Sequence, residues 1–240
     1  MSQKSHMAKH IIILTGAGIS AESGIDTFRA DGGLWEQYPV EQVATPEGFA
    51  ADPDLVHHFY NLRRAALKTV QPNPAHFALA KLQKELQSKG GSLTLVTQNV
   101  DDLHERGGVS DAIHMHGILT SMLCGSCKAR WEWHEDTTAE APCPSCSTPA
   151  TRPDIVWFGE MPYFMDEIER ALAACDLFVS IGTSGAVYPA AGYVQMARQM
   201  GKRTLELNLE PSQGSGFFDA CRHGMAGTIV PDWVDEVLGR

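Results

Sequence analysis

The sequence has no apolar run long enough to cross a bilayer. Stretches such as LFVSI at residues 177–181 are strand-sized, against the roughly 20 residues a spanning helix needs. Basic residues are scarce as well. Nineteen Lys and Arg against 29 Asp and Glu leave a formal net charge of −10. That charge repels polyanions and argues against a nucleic-acid or anionic-membrane binder; the local pair Arg63-Arg64 is too small to reverse it. No charged-then-apolar leader opens the sequence, whose first ten residues, MSQKSHMAKH, are polar, so a cytoplasmic location is expected. Cysteine is also sparse, with six in 240 residues, and in a reducing compartment these read as metal ligands or core thiols rather than disulfides. What remains is an ordinary globular composition, of a length that suits one large domain or one domain carrying a small module.

Apolar strand-like runs recur at residues 10–18, 92–101, 177–184 and 204–212. Between them lie helical patterns at about 54–70, 75–89, 165–174, 190–200 and 231–238. Continuous β-branched and leucine strands alternating with helices predict an α/β fold, a parallel sheet with helices on both faces. Residues 117–153 break the rhythm, being rich in Cys, Pro, Ser and Thr, and read as an inserted module. The expected division is 8–116 and 154–240 for the main domain and 117–153 for the insert.

Residues 15–20, TGAGIS, follow the first strand, and Gly16, Gly18 and Ala21 satisfy G-x-G-x-x-G/A. In that context the glycines let the backbone approach a pyrophosphate, and a helix start offers it unpaired N–H groups. The alternative is a tight strand-to-helix turn without a ligand. The acidic ribose ligand expected about 20 residues on is missing. Instead a long glycine-rich loop, ESGIDTFRADGGLW, occupies residues 22–35. A dinucleotide used for something other than hydride transfer is therefore expected. The other strands end in TQNVD, GTS and NLEPS. Since ligands of open parallel sheets lie beyond the carboxyl ends of the strands, Gln98, Asn99, Asp101, Thr183, Ser184 and Asn208 are expected to converge, although each taken singly could be a turn former or cap.

Cys124, Cys127, Cys143 and Cys146 follow C-x2-C-x15-C-x2-C, a zinc spacing. Four thiolates fill a tetrahedral zinc and leave no open position, so the metal is expected to be structural. Cys175 and Cys221 lack such spacing and read as core thiols. In IHMHG (residues 113–117) His114 and His116 share a side if the segment is a strand; His116, before a glycine and between the strand ends and the insert, is the candidate general base. Finally, FYNLRR at residues 59–64 places Tyr60 and Arg63 three apart on a helix face, where a hydroxyl and a guanidinium could receive an anion. The alternative is that Arg63 and Arg64 form a solvated face.

Together GAGISAESGIDTFR, TQNVDDLHERGG, HMHG, the paired CxxC, PDIVWFGE, IGTS and NLEPS resemble the sirtuins, NAD-dependent protein lysine deacylases, from about residue 9 to 230. The resemblance, to the bacterial short-form class III group, implies a Rossmann-type NAD domain plus a small zinc-ribbon module, with acyl-lysine peptide threaded between them. It implies NAD as co-substrate, one structural zinc, and acylated lysine in proteins or peptides as substrate. Gly16, Ala17, Gly18 and Ser20 would hold the pyrophosphate; Phe28, Arg29 and Trp35 would belong to the cofactor loop. Gln98, Asn99 and Asp101 would seat the nicotinamide ribose and carboxamide, with Asn99 and His116 catalytic. Gly182, Thr183, Ser184, Asn208, Leu209, Glu210 and Ala226 would line the adenosine side. Val156, Phe158, Gly159 and Glu160, with residues 185–188 opposite, would hold the peptide by strand addition. Tyr60 and Arg63 match the pair that reads acidic acyl groups, and Ala44 a small residue leaving room for a longer chain. The activity implied is removal of acetyl, succinyl and malonyl groups, giving nicotinamide, O-acyl-ADP-ribose and free lysine. A mono-ADP-ribosyltransferase and a non-enzymatic NAD-sensing adaptor are the alternatives.

Overall fold

The computed structural model describes residues 9–25 and 37–240; the expectations for Phe28, Arg29 and Trp35 lie outside them. The main sheet is parallel and six-stranded. Its strands are β1 (His10–Thr15), β2 (Ser92–Thr97), β3 (Ile113–His114), β7 (Leu177–Ile181), β8 (Arg203–Asn208) and β9 (Ala220–His223). Their order is β3-β2-β1-β7-β8-β9, the doubly wound arrangement in which the chain works outward in both directions from a central pair. β1 and β7 are that pair, and the crevice at their carboxyl ends is the topological switch point. The register aligns Thr15 with Thr97 on one side and with Ile181 on the other, so all three strand ends finish level.

Helices Pro74–Ser88 and Ala226–Leu238 cover one face, where Ile11, Ile13, Leu79, Leu82, Leu205 and Trp233 share a core. Helices Met165–Ala174 and Tyr193–Gln199 cover the other, around Ile12, Leu14, Phe178 and Tyr193. Local chemistry sets several boundaries. Asn73 accepts from Ala75 N at 3.0 Å, His76 accepts from the Asn73 N–H at 3.2 Å, and Pro74 takes the first turn, where its missing N–H costs nothing. The helix Pro53–Leu67 repeats this with Asp52 as cap, accepting from Leu55 N at 2.9 Å.

Some boundaries differ from the sequence expectation. The last helix begins at Ala226 and carries Pro231 inside it, where proline had marked a start. The segment expected at 190–200 is a 3-10 turn at Ala190–Gly192 followed by the helix Tyr193–Gln199. After the glycine loop come two 3-10 turns, Ala17–Ile19 and Ala21–Ser23, instead of a helix start. β3 stops at His114, so His114 and His116 are not neighbours on one strand. Cys175 is buried, but Cys221 is exposed and is no core thiol. Among the described residues no helix is long and apolar enough to cross a membrane.

A second, antiparallel sheet contains β4 (Gly117–Cys124), β5 (Arg130–Glu132) and β6 (Thr151–Ile155), in the order β5-β4-β6. A third core joins it to the helix Pro53–Leu67 through Val43, Phe59, Tyr60, Leu119, Ile155 and Trp157. Arg64 crosses this seam. Its side chain is almost fully buried, 2% exposed, and donates to Leu119 O (2.9 Å), Glu135 O (3.1 Å) and Asn61 Oδ1 (2.7 Å). The reading of Arg63 and Arg64 as a solvated face therefore fails for Arg64. Replacing one partner of buried hydrogen bonds strands the others at about 1–3 kcal/mol. Arg64→Met is expected to lower the calorimetric Tm by roughly 3–10 °C, at 2–4 °C per kcal/mol for a chain of this size. A melting point unchanged from wild type would show that the seam does not depend on this side chain.

Candidate active site

The switch-point crevice is built on a backbone contact. Gly16 N donates to Ile181 O (3.0 Å) and Gly18 N to Gly182 O (2.9 Å). A Cβ on Gly18 would lie 2.8 Å from Gly182 Cα, and one on Gly182 would lie 2.4 Å from Ile19 N. These glycines are therefore required first for the packing of two strand-end loops on each other. Asn208 ties in the third, donating to Thr183 O at 2.8 Å, while the Thr183 hydroxyl meets Ser180 Oγ at 3.0 Å. Beside them a cleft is lined by Leu14, Gln98, Thr183, Gly185, Val187 and Ser212. Ser184 and Gly182 sit half-buried at its edge, Leu209 and Glu210 are exposed beyond β8, and half-buried Ala226 opens the last helix.

Ser20 is the hub of the buried polar chemistry. Asn99 Nδ2 donates to its hydroxyl at 3.1 Å, and the hydroxyl donates to Asp101 Oδ2 at 3.1 Å. His76 Nδ1 accepts from a backbone N–H, so in the neutral ring Nε2 carries the proton and faces Ser20 Oγ at 3.4 Å. Burial brings this histidine down to about 4, which keeps it neutral. A second chain fixes the Asn99 backbone. Asn99 N donates to Thr97 Oγ1 (3.0 Å), which also accepts from Thr15 Oγ1 (2.8 Å). Thr15 in turn accepts from His104 Nε2 (2.9 Å), leaving buried His104 Nδ1 without a partner. Burial pushes the Asp101 carboxyl up, against the opposing pull of the Leu103 N–H and Ser20 hydroxyl.

The two histidines of IHMHG are divided by their acceptors. His114 faces oxygens on both sides, Asn99 O at 3.2 Å and Glu105 Oε1 at 2.8 Å. Burial lowers its pKa, but Glu105 and the Asn99 carbonyl outweigh that, so the net shift is upward and the ring holds two protons more readily. His116 faces one carbonyl, Gln98 O, at 3.2 Å through Nδ1. Since a carbonyl only accepts, Nδ1 bears the proton and Nε2 keeps its lone pair. Burial lowers its pKa, so the ring is a neutral base at pH 7. Gly117 has φ +82°, and a Cβ there would lie 1.9 Å from Asp154 O; the glycine after His116 is dictated by that approach.

Across the cleft, the segment after β6 is held from both sides. Val156 N donates to His116 O and Phe158 N to Ala44 O, each at 2.9 Å. Phe158 and Gly159 are exposed, Ala44 and Tyr60 buried, and Arg63 half-buried. The Arg63 guanidinium lies 5.7 Å from the Phe59 ring centre and 5.8 Å from that of Tyr60. It is close enough to Asp101 for the two charges to be felt. Tyr60 and Arg63 therefore face the same crevice as the Ser20 cluster. Glu160 is placed differently from a substrate contact: its carboxylate accepts from Arg152 at 2.6 and 2.9 Å and from Trp157 N at 2.8 Å. Sequence reasoning passed over Asn73, His76, His104 and Trp157; the capping pattern NPAH at residues 73–76 was the available signal for the first two.

The metal site is separate. Cys124 and Cys146 Sγ lie 3.7 Å apart, as do Cys127 and Cys143, and all four sulfurs fall within 4.8 Å of one another. Zinc–sulfur bonds of about 2.3 Å in a tetrahedron require edges of about 3.8 Å, so the residues fit a structural zinc. Cys127 N and Ser145 N donate to Cys124 and Cys143 Sγ, each at 3.4 Å. The folded chain is expected to carry about one equivalent of zinc by elemental analysis, with Cys143→Ala losing it and unfolding the β4–β6 sheet; full metal content in that variant would contradict the assignment.

The comparisons agree with this geometry. The Sir2 family model matches residues 16–189. An NAD-dependent protein deacylase of Vibrio cholerae is 56% identical over 233 residues, covering 96% of this chain and 94% of that one. A protein of the same name from Caulobacter vibrioides is 53% identical, covering 96% and 97%. Among solved structures, a Sir2 homologue in complex with NAD superposes with a TM-score of 0.87 at 38% identity, covering 97% of this chain and 90% of that one. A Sir2 protein bound to a myristoylated histone peptide superposes with a TM-score of 0.72 at 30% identity, covering 96% and 91%. The chain belongs to the Sir2 family.

Proposed function

We propose that this protein is an NAD-dependent protein lysine deacylase that removes acetyl and acidic acyl groups, succinyl and malonyl, releasing nicotinamide, O-acyl-ADP-ribose and free lysine. The observation that carries it is the meeting, at the β1/β7 switch point, of a neutral histidine with the Ser20–Asn99–Asp101 cluster and the Tyr60–Arg63 pair. Bound NAD supplies a ribose carbon that the acyl oxygen can attack once nicotinamide leaves.

The chain's own groups then divide the work. Residues 8–116 and 154–240 form the nucleotide-binding unit and residues 117–153 the zinc module. The 16–20 loop, with Thr183, Ser184 and Asn208, holds the phosphates and adenosine. Asn99 and Asp101, locked by Ser20 and Thr97, orient the nicotinamide end. His116 Nε2 takes a proton from a ribose hydroxyl, a role its tautomer and lowered pKa both favour. The N–H groups of Val156, Trp157, Phe158 and Glu160 are engaged internally, so the substrate strand pairs with carbonyls of this segment and with residues 185–188 opposite.

Acyl selection falls to Tyr60 and Arg63. A charge-assisted hydrogen bond contributes about 1.5–3 kcal/mol, or a preference on the order of tenfold to a hundredfold. On matched acetyl- and succinyl-lysine peptides, nicotinamide release by Arg63→Met is expected to fall by about that factor for succinyl and much less for acetyl. Equal losses on both peptides would remove the acid-reading role.

A further inference from the structure

One buried hydrogen bond is not accounted for by the roles above. The Trp157 indole Nε1–H donates to the Tyr60 hydroxyl at 3.0 Å, with both residues at or below 2% exposure. A phenol that accepts from an indole still has its own proton to give, and indole nitrogen is donor only. Among the described residues no acceptor takes the Tyr60 proton. The indole is itself fixed. The Arg152 guanidinium lies 3.4 Å from its ring centre, and Phe49 packs on it at 5.1 Å between ring centres. Glu160 binds both Arg152 and the Trp157 backbone N–H. A cation against the π face draws electron density from the ring, which makes the indole N–H a better donor.

Resting on the reading of Tyr60 and Arg63 as the acid-reading pair, we propose that Trp157 is a positioning residue for acyl selection: its indole N–H occupies the acceptor side of the Tyr60 hydroxyl and commits the phenolic proton to the distal carboxylate of an acidic acyl group. Glu160 and Arg152 then act behind the pocket wall, holding the indole at the angle the relay needs. An acetyl group has no carboxylate to receive that proton, so loss of the relay is felt by succinyl- and malonyl-lysine and spared by acetyl-lysine. The protons balance without transfer: each donor keeps its hydrogen, and only the direction of donation is set.

The test measures kcat and KM of the zinc-loaded full chain on matched succinyl- and acetyl-lysine peptides for wild type, Trp157→Phe, Tyr60→Phe and the double variant, with Arg63→Met alongside. A net hydrogen bond of about 1 kcal/mol corresponds to roughly fivefold. Trp157→Phe is expected to raise KM for the succinyl peptide by about that factor with little change in kcat, leaving the acetyl reaction within about twofold. In the Tyr60→Phe background it is expected to add no further succinyl-selective loss. If Trp157→Phe does not fold, benzothienylalanine at position 157 keeps the ring shape without the N–H and gives the same readout. Equal losses on both peptides, or a succinyl loss that persists undiminished in the Tyr60→Phe background, overturn the proposal while leaving a selective Arg63→Met effect intact. A wild type inactive on succinyl-lysine overturns this proposal and the acid-reading role together.

Discussion

The site depends on two backbone segments touching. The loop after β1 and the loop after β7 approach so closely that Gly18 and Gly182 leave no room for a Cβ on either. The parallel register then brings Thr15, Thr97 and Ile181 to the same level. From that level the Thr15–Thr97 hydroxyl pair fixes the backbone of Asn99, and Ser20, one turn past the glycines, fixes its side chain. Larger residues in either loop would push the strand ends apart and loosen every group aimed into the crevice, a small displacement of the kind catalysis tolerates poorly.

Burial of polar groups here is matched by direction as well as by number. Each histidine around the crevice has its proton placed by the partner it meets. His76 and His104 are neutral links behind Ser20 and Thr15. His114 is drawn toward the charged form by Glu105. His116, with only the Gln98 carbonyl to satisfy, is left with a lone pair. Four rings of the same chemistry thus take three different states, and the state of His116 is the one a base requires.

Much of this was legible in the sequence. The apolar runs and their polar ends marked the strands, the cysteine spacing marked the metal, and the motif order marked the family. What was not legible is tertiary. FYNLRR cannot say that Arg64 turns into the seam toward Leu119 and Glu135 while Arg63 turns toward Asp101, because one helical step separates the two faces. Nor can PDIVWFGE say that Glu160 folds back on Arg152, a contact set by a turn. Pro231 misled as a helix start because a single interior proline costs one hydrogen bond, which the packing of Val230, Trp233 and Val234 outweighs.

The central claim is that one crevice consumes NAD and an acyl-lysine together. The most direct measurement is mass spectrometry of all products from a single turnover with an acetyl-lysine peptide. The account predicts nicotinamide, deacetylated peptide and O-acetyl-ADP-ribose in equal amounts. ADP-ribose attached to protein, with the acetyl group still on its lysine, would contradict it.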